Sequence, residues 1–194
     1  AGWPRTSGSR FAAHVVDTED SALVRKFRAS GVNLIGKSNT PEYGITGTTE
    51  SVLLGPCRNP WNPEHIAGGS SGGAASAVAA GIAPLAHASD GLGSISIPAA
   101  CCGLVGLKTT RERTQEYPDP DDVVVGLGVN HVVSRSVRDS AAMLDCIDAP
   151  LPDSPYAAPP KAGPFLDEVG KSPGRLRIAW SSQTPNGKPI DPEI

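Results

Sequence analysis

The chain has no CxxC pair among its four cysteines, Cys57, Cys101, Cys102 and Cys146, and no HxxxH or HExxH spacing among its four histidines. Metal is therefore not expected, because zinc sites draw their ligands from such fixed spacings. No run of eighteen apolar residues is present, so no membrane-spanning helix is expected, and the first residues lack the basic-then-apolar order of a signal peptide. Lysine and arginine are scattered, and 17 basic against 20 acidic residues leave a formal net charge of -3. A nucleic-acid partner does not fit that distribution. Gly126 and Gly128 lack the third glycine and following helix of a dinucleotide fingerprint, so no cofactor is expected. No internal repeat is visible.

What is present reads as one globular α/β unit. The chain has 194 residues, 39% apolar and 19% charged, enough for a core, while 22 glycines and 19 prolines imply much loop. It begins at Ala1 and ends on Ile190-Asp191-Pro192-Glu193-Ile194, which looks like the start of a helix. The expectation is a partial domain over residues 1–194, cut at both ends, with no second domain. Adjacent Cys101 and Cys102 should pack as small apolar residues, which suits a reducing compartment and a cytoplasmic location.

The most informative stretch is residues 68–98, where Ser70 and Ser94 each stand beside glycines, 24 positions apart. Gly72 to Ala80 predicts a helix ended by Gly81, and residues 82–89 predict a strand buried on both faces. A turn over Asp90, Gly91, Leu92 and Gly93 then leads to Ser94. Helix, strand and turn bring the two serines together. A serine beside a serine acts as a nucleophile only when a third group of real basicity withdraws the proton. The N–H groups of Gly91, Leu92, Gly93 and Ser94 are candidates to surround an oxyanion. An acyl-transfer site follows.

Elsewhere the pattern is an alternation of strands and helices. Asp17 to Asp20 offers caps for a helix carrying Ala22, Leu23, Phe27 and Ala29, ended by Gly31. Val32 to Ile35 predicts a short buried strand, and Asn39-Thr40-Pro41-Glu42 a new helix. Residues 55–66 predict an irregular loop anchored by Cys57 and Trp61, with His65 a polar loop residue. Val105 to Leu107 predicts a strand, and Lys108 to Pro120 a solvated loop containing Arg111, Glu112 and Arg113. Ser136 predicts the cap of a core helix with Val137, Ala141, Leu144 and Ile147 on one face. Residues 149–174 read as an extended connector and Arg177 to Trp180 as a strand.

Gly68-Gly69-Ser70-Ser71-Gly72-Gly73, Ser89-Asp90-Gly91-Leu92-Gly93-Ser94-Ile95-Ser96-Ile97-Pro98-Ala99 and Cys102-Gly103-Leu104-Val105-Gly106-Leu107-Lys108 together resemble the amidase signature family. The resemblance implies a large, mainly parallel mixed sheet between helices, and a serine amidase working through an acyl-enzyme. It implies Ser94 as nucleophile, Ser70 as a proton-relaying serine after a cis peptide bond, and a lysine as terminal base just upstream of Ala1. Lys37 is too close to Ser70 for that role and reads as a lysine at a strand end. Ser71 and Asp90 are the implied structural supports. The implied partner is a small-molecule amide, with a homodimer as a further assembly and neither nucleic acid nor membrane involved. The family usually has Thr-Gly-Gly where this chain has Gly91-Leu92-Gly93, and Arg where it has Ser96. Gly55-Pro56-Cys57-Arg58-Asn59-Pro60-Trp61-Asn62 and Ser154-Pro155-Tyr156 are more similar to its 6-aminohexanoate cyclic dimer hydrolase branch.

Three alternatives stand beside this reading. Gly68-x-Ser70-x-Gly72 and Gly69-x-Ser71-x-Gly73 match a nucleophile elbow, but that motif needs a strand directly before it and Asn62-Pro63-Glu64-His65 stands there. A glutaminase-like subunit acting on charged tRNA typically has Arg-Gln where Ser96-Ile97 stands. A non-catalytic scaffold with the same fold is the alternative from a different class.

Overall fold

Strand and helix boundaries follow from which side chains meet backbone partners in the computed structural model, which describes residues 1–114, 126–148 and 158–191. Ser21 accepts the Val24 N–H at 3.3 Å and so opens α1 (Ala22–Ala29). The cap is thus one residue beyond the acidic run expected to supply it. Asp20 is taken up by Arg28 at 2.7 Å and by the terminal ammonium of Ala1. Leu23 and Phe27, four apart on one face, are the buried anchors of α1.

The next expectations are corrected. Val32 to Ile35 forms no strand, and Ile35 is 71% exposed. A buried strand needs ladder partners and cover on both faces, and no described strand lies against it. The helix expected from Asn39 is only a 3-10 turn, Glu42–Gly44. The two-residue strands β1 (Glu50–Ser51) and β2 (Gly55–Pro56) pair antiparallel. The loop after them is irregular, as expected. Asn59 fixes it by donating to Cys101 O at 2.7 Å, and the Trp61 indole donates to Cys102 O at 2.8 Å.

Helix α2 (Gly72–Ala79) is followed by β3 (Leu85–Asp90), then by α3 (Ser96–Cys102) and β4 (Val105–Gly106). Gly81 follows α2 at φ +77°, the left-handed conformation that ends it. β3 alternates instead of being buried on both faces: Ala88 and Asp90 are inside, His87 and Ser89 outside. It is an edge of the described sheet, in the order β3-β5-β4, with β5 (Val129–Ser134) central. Both ladders run antiparallel, so the mainly parallel pairing expected of the whole sheet is not represented among the described strands.

Small side chains make the first core. Ala67, Ala74, Ala75, Val78, Ala88, Ile95, Ala99, Cys102, Val129 and Val133 join α2, α3, β3 and β5. Val132, on the alternate position of β5, joins Leu23 and Phe27 to Met143, Leu144 and Ile147 of α4 (Val137–Ile147). Ser136 caps α4 by accepting the Asp139 N–H at 3.1 Å, as expected, but Val137 is 60% exposed and does not share the buried face. Between β5 and α4 lies fully buried His131, whose Nε2 meets Ser140 Oγ at 2.8 Å while its Nδ1 has no partner.

The loop after β4 is less solvated than expected. Glu112 is buried, Arg113 pairs with Asp148 at 3.0 Å, and Arg111 donates to Gly126 O at 2.6 Å. Of the connector, residues 158–174 include a 3-10 turn, Phe165–Glu168. Arg177 to Trp180 pairs with no described strand, leaving Ile178 84% and Trp180 85% exposed. The expectations for residues 115–125, 149–157 and 192–194 lie outside the described residues. Among the described residues no helix is long and apolar enough to cross a membrane.

Candidate active site

The site is assembled by backbones that touch because their side chains are missing or small. At Gly69 a Cβ would stand 2.7 Å from Thr48 N and O, and at Gly73 it would fall on the backbone N and O of Asn39. Neither position has room for a side chain. Thr49, fully buried, ties the segment from beneath: its hydroxyl donates to Gly68 O at 2.9 Å and accepts the Gly72 N–H at 3.2 Å. The Gly69–Ser70 peptide bond is cis. Ser70 is 7% exposed, and its Oγ lies 3.6 Å from where a Cβ on Gly44 would stand.

Ser71 is the hinge between the two serine segments. Its hydroxyl donates to Ser89 O at 3.3 Å and accepts from Ser89 N at 3.2 Å, holding the end of β3. Its N–H donates to Ser94 O at 3.3 Å. The chain segments of Ser70 and Ser94 are thereby brought together, although their hydroxyls are not hydrogen-bonded to each other.

Asp90, 0% exposed at the end of β3, organises the turn. Oδ1 accepts from Gly93 N at 2.7 Å, and Oδ2 from Ile95 N at 2.9 Å and Ser96 N at 3.3 Å. Lys108 adds an ion pair at 3.1 Å. Burial pushes the Asp90 carboxyl up, but the N–H groups of Ile95 and Gly93, the Lys108 ammonium and the Ser96 N–H outweigh it and hold the pKa below the ordinary carboxylate value. The Gly93 N–H is therefore occupied, which removes it from the four expected oxyanion donors. Gly91, Leu92 and Ser94 keep theirs. Ser96, where the resemblance implies arginine, turns its hydroxyl to Asp90 Oδ2 and Gly93 O, both at 3.3 Å.

The remaining candidates lie apart from this cluster. Lys37 donates to Pro4 O at 2.8 Å, and His65 is an exposed loop residue. A hollow of about 680 Å³ is lined by Trp3, Lys37, Asn39 and their neighbours, and neither serine lines it. Cys102 is buried, and burial together with Cys101 and Cys57 raises its thiol to about 11, so it packs as an inert side chain; Cys101 is exposed. No group of three metal-binding side chains occurs among the described residues. Sequence reasoning missed Thr49 and the grip of Lys108 on the turn. The only signal for Lys108 was its place at the end of the third motif.

A sequence profile of the family described as Amidase matches residues 1–194. A 6-aminohexanoate-cyclic-dimer hydrolase of Paenarthrobacter ureafaciens is 43% identical over 177 residues, covering 90% of this chain and 36% of that protein. A solved structure of 6-aminohexanoate cyclic dimer hydrolase complexed with substrate matches with a TM-score of 0.81 at 41% identity, covering 88% of this chain and 36% of that one. A bacterial aryl acylamidase of the amidase signature enzymes matches with a TM-score of 0.79 at 35% identity, covering 86% and 34%. The chain thus spans about a third of the length of these proteins.

Proposed function

The chain belongs to the amidase family, and from that premise we propose that the protein it forms hydrolyses a carboxamide C–N bond through an acyl-enzyme on Ser94. The observation that carries the reading is the Ser71 N–H on Ser94 O, which joins the two serine segments across 24 positions of sequence. Ser94 Oγ attacks the carbonyl carbon as Ser70 takes its proton. A lysine outside these 194 residues, kept neutral by burial, takes the proton of Ser70 in turn. The N–H groups of Gly91, Leu92 and Ser94 receive the oxyanion. Ser70 then protonates the leaving nitrogen, the C–N bond breaks, and water releases the acid from Ser94.

A base outside these residues is supported by the engagement of the lysines closest in sequence to the serines, Lys37 with Pro4 and Lys108 with Asp90. The 43% identity to a 6-aminohexanoate-cyclic-dimer hydrolase supports small and cyclic amides as the first substrates to screen. In the whole protein, a fluorophosphonate probe should label Ser94, Ser94→Ala should abolish labelling, and Ser70→Ala should slow it. Unchanged labelling of Ser94→Ala would sink the assignment. A wild-type protein that binds an amide analogue without labelling or turnover would instead fit the scaffold reading.

A further inference from the structure

The Lys108 ammonium directs its hydrogen bonds at one turn: Gly91 O at 2.6 Å, Asp90 O at 3.1 Å and Asp90 Oδ1 at 3.1 Å. Two of these acceptors are the carbonyls of consecutive peptide units. A peptide unit is planar, and in the trans form its C=O and the following N–H point to opposite sides. Only the Gly69–Ser70 bond is cis among the described residues. Gripping Asp90 O therefore fixes the direction of the Gly91 N–H, and gripping Gly91 O fixes that of the Leu92 N–H. Both are turned away from the ammonium. These are two of the three N–H groups of the turn that Asp90 leaves uncommitted.

We propose that Lys108 is a positioning residue that aims the Gly91 and Leu92 N–H groups as oxyanion donors, which rests on the acyl-transfer reading above. The carboxylate of Asp90 fixes the other half of the turn through Gly93, Ile95 and Ser96, so the loop is held from both ends by one ion pair. The ammonium also polarises each peptide it holds, making the N–H on the far side a better donor. Gly91 and Leu92 stand where the resemblance implies threonine and glycine. A tether acting on carbonyl oxygens works with any side chain at those positions.

The test compares wild type, Lys108→Met and Lys108→Arg in the whole protein by the rate of fluorophosphonate labelling at Ser94 and by kcat and KM on an amide substrate. Removing one oxyanion donor slows acyl transfer by a factor on the order of 10² to 10³, so Lys108→Met is expected to label about a hundredfold more slowly with KM little changed. Lys108→Arg keeps the charge but not the tetrahedral arrangement of donors, and is expected to fall between the two. If Lys108→Met does not fold, Lys108→Arg carries the comparison alone. A folded variant that labels and turns over at the wild-type rate overturns the inference while leaving the nucleophile assignment standing. A rise in KM with kcat unchanged overturns it too, because a donor acting on the oxyanion must appear in kcat. Wild type that does not label at all overturns the acyl-transfer reading, and this inference falls with it.

Discussion

Residues 67–109 and residues 158–191 use apolar side chains in opposite ways. In the first segment the buried groups are small, Ala67, Ala74, Ala75, Ala88 and Ala99 among them, and their partners lie within a few dozen residues along the chain. In the second the groups are large, yet Leu176 is 62%, Ile178 84% and Trp180 85% exposed. Hydrophobicity per residue favours burial of the second set. The arrangement is the reverse because burial needs a partner surface, and small residues that let backbones meet supply one locally. The candidate site belongs to the segment whose backbones find partners, among them Asn39, Thr49 and Ser94, so its geometry is set by those close approaches.

Placing a side chain where two backbones meet should break this contrast with the largest effect. Gly73→Val would drive its side chain into the Asn39 backbone, which cannot move aside as a side-chain tip can. The expected loss is about 3 kcal/mol or more in urea unfolding. Gly187→Ala, with nothing within 4 Å and φ +70°, should cost about 1 kcal/mol from its left-handed backbone alone. Equal effects would mean that the glycine contacts do not hold the site.

Each segment is also held by a carboxylate, Asp90 within the first and Asp145 of α4 against the second. Asp90 receives the N–H groups of Gly93 and Ile95 and the ammonium of Lys108; Asp145 receives those of Phe165 and Leu166 and the ammonium of Lys161. In both cases burial raises the pKa, and the backbone N–H groups and then the lysine bring it below the ordinary value of 3.8. Asp90 is 0% exposed, whereas the Asp145 side chain is 20% exposed and holds only the Phe165–Glu168 turn. Asp90→Ala should cost about 3 kcal/mol, because it strands three N–H groups and half of an ion pair. Asp145→Ala should cost about 1 kcal/mol and make residues 158–191 the first to be cut by protease. A depressed carboxylate contributes stability that is present above its unfolded pKa and lost as pH falls through the folded one. Stability should therefore decline below about pH 4, less steeply in either variant.

His131 sharpens the comparison at higher pH. Burial first, and His87 second, lower its pKa from 6.5 to about 4, so the folded ring stays neutral where the unfolded ring takes a proton. Between pH 6.5 and about 4 the unfolded state binds more protons, and stability falls as pH falls by about 3 kcal/mol in all. Above pH 7 the contribution is level. His131→Gln should flatten that window in urea titrations at successive pH values. An unchanged slope would place the titrating group elsewhere.

The approach of the Ser70 and Ser94 segments and helices α1, α2 and α4 were legible because local rules fix them, small residues at close spacing, caps, and one apolar face per helix, whereas Ser71 and Asp90 were singled out by the family resemblance alone. The misplaced elements share a physical cause. Val32 to Ile35 and Arg177 to Trp180 carry strand-forming residues, but a strand exists only where another pairs with it, and that information is not local. The Gly93 N–H went unread for a different reason. Whether an amide is free depends on where the Asp90 carboxylate turns, and that is set by the folded turn rather than by residue type.

The smallest expected effect tests the exposed side of the contrast. Trp180→Ser removes the largest apolar side chain of residues 175–180, and in a buried strand such a change costs about 3 to 5 kcal/mol. At 85% exposure the indole makes little contact, and the chain of 194 residues should lose less than about 0.5 kcal/mol in urea unfolding. A larger loss would show that Arg177 to Trp180 finds a partner in solution. The same substitution in a protein of the relatives' full length then reports whether the remaining chain covers this strip, because only a covered indole raises the cost toward the buried value.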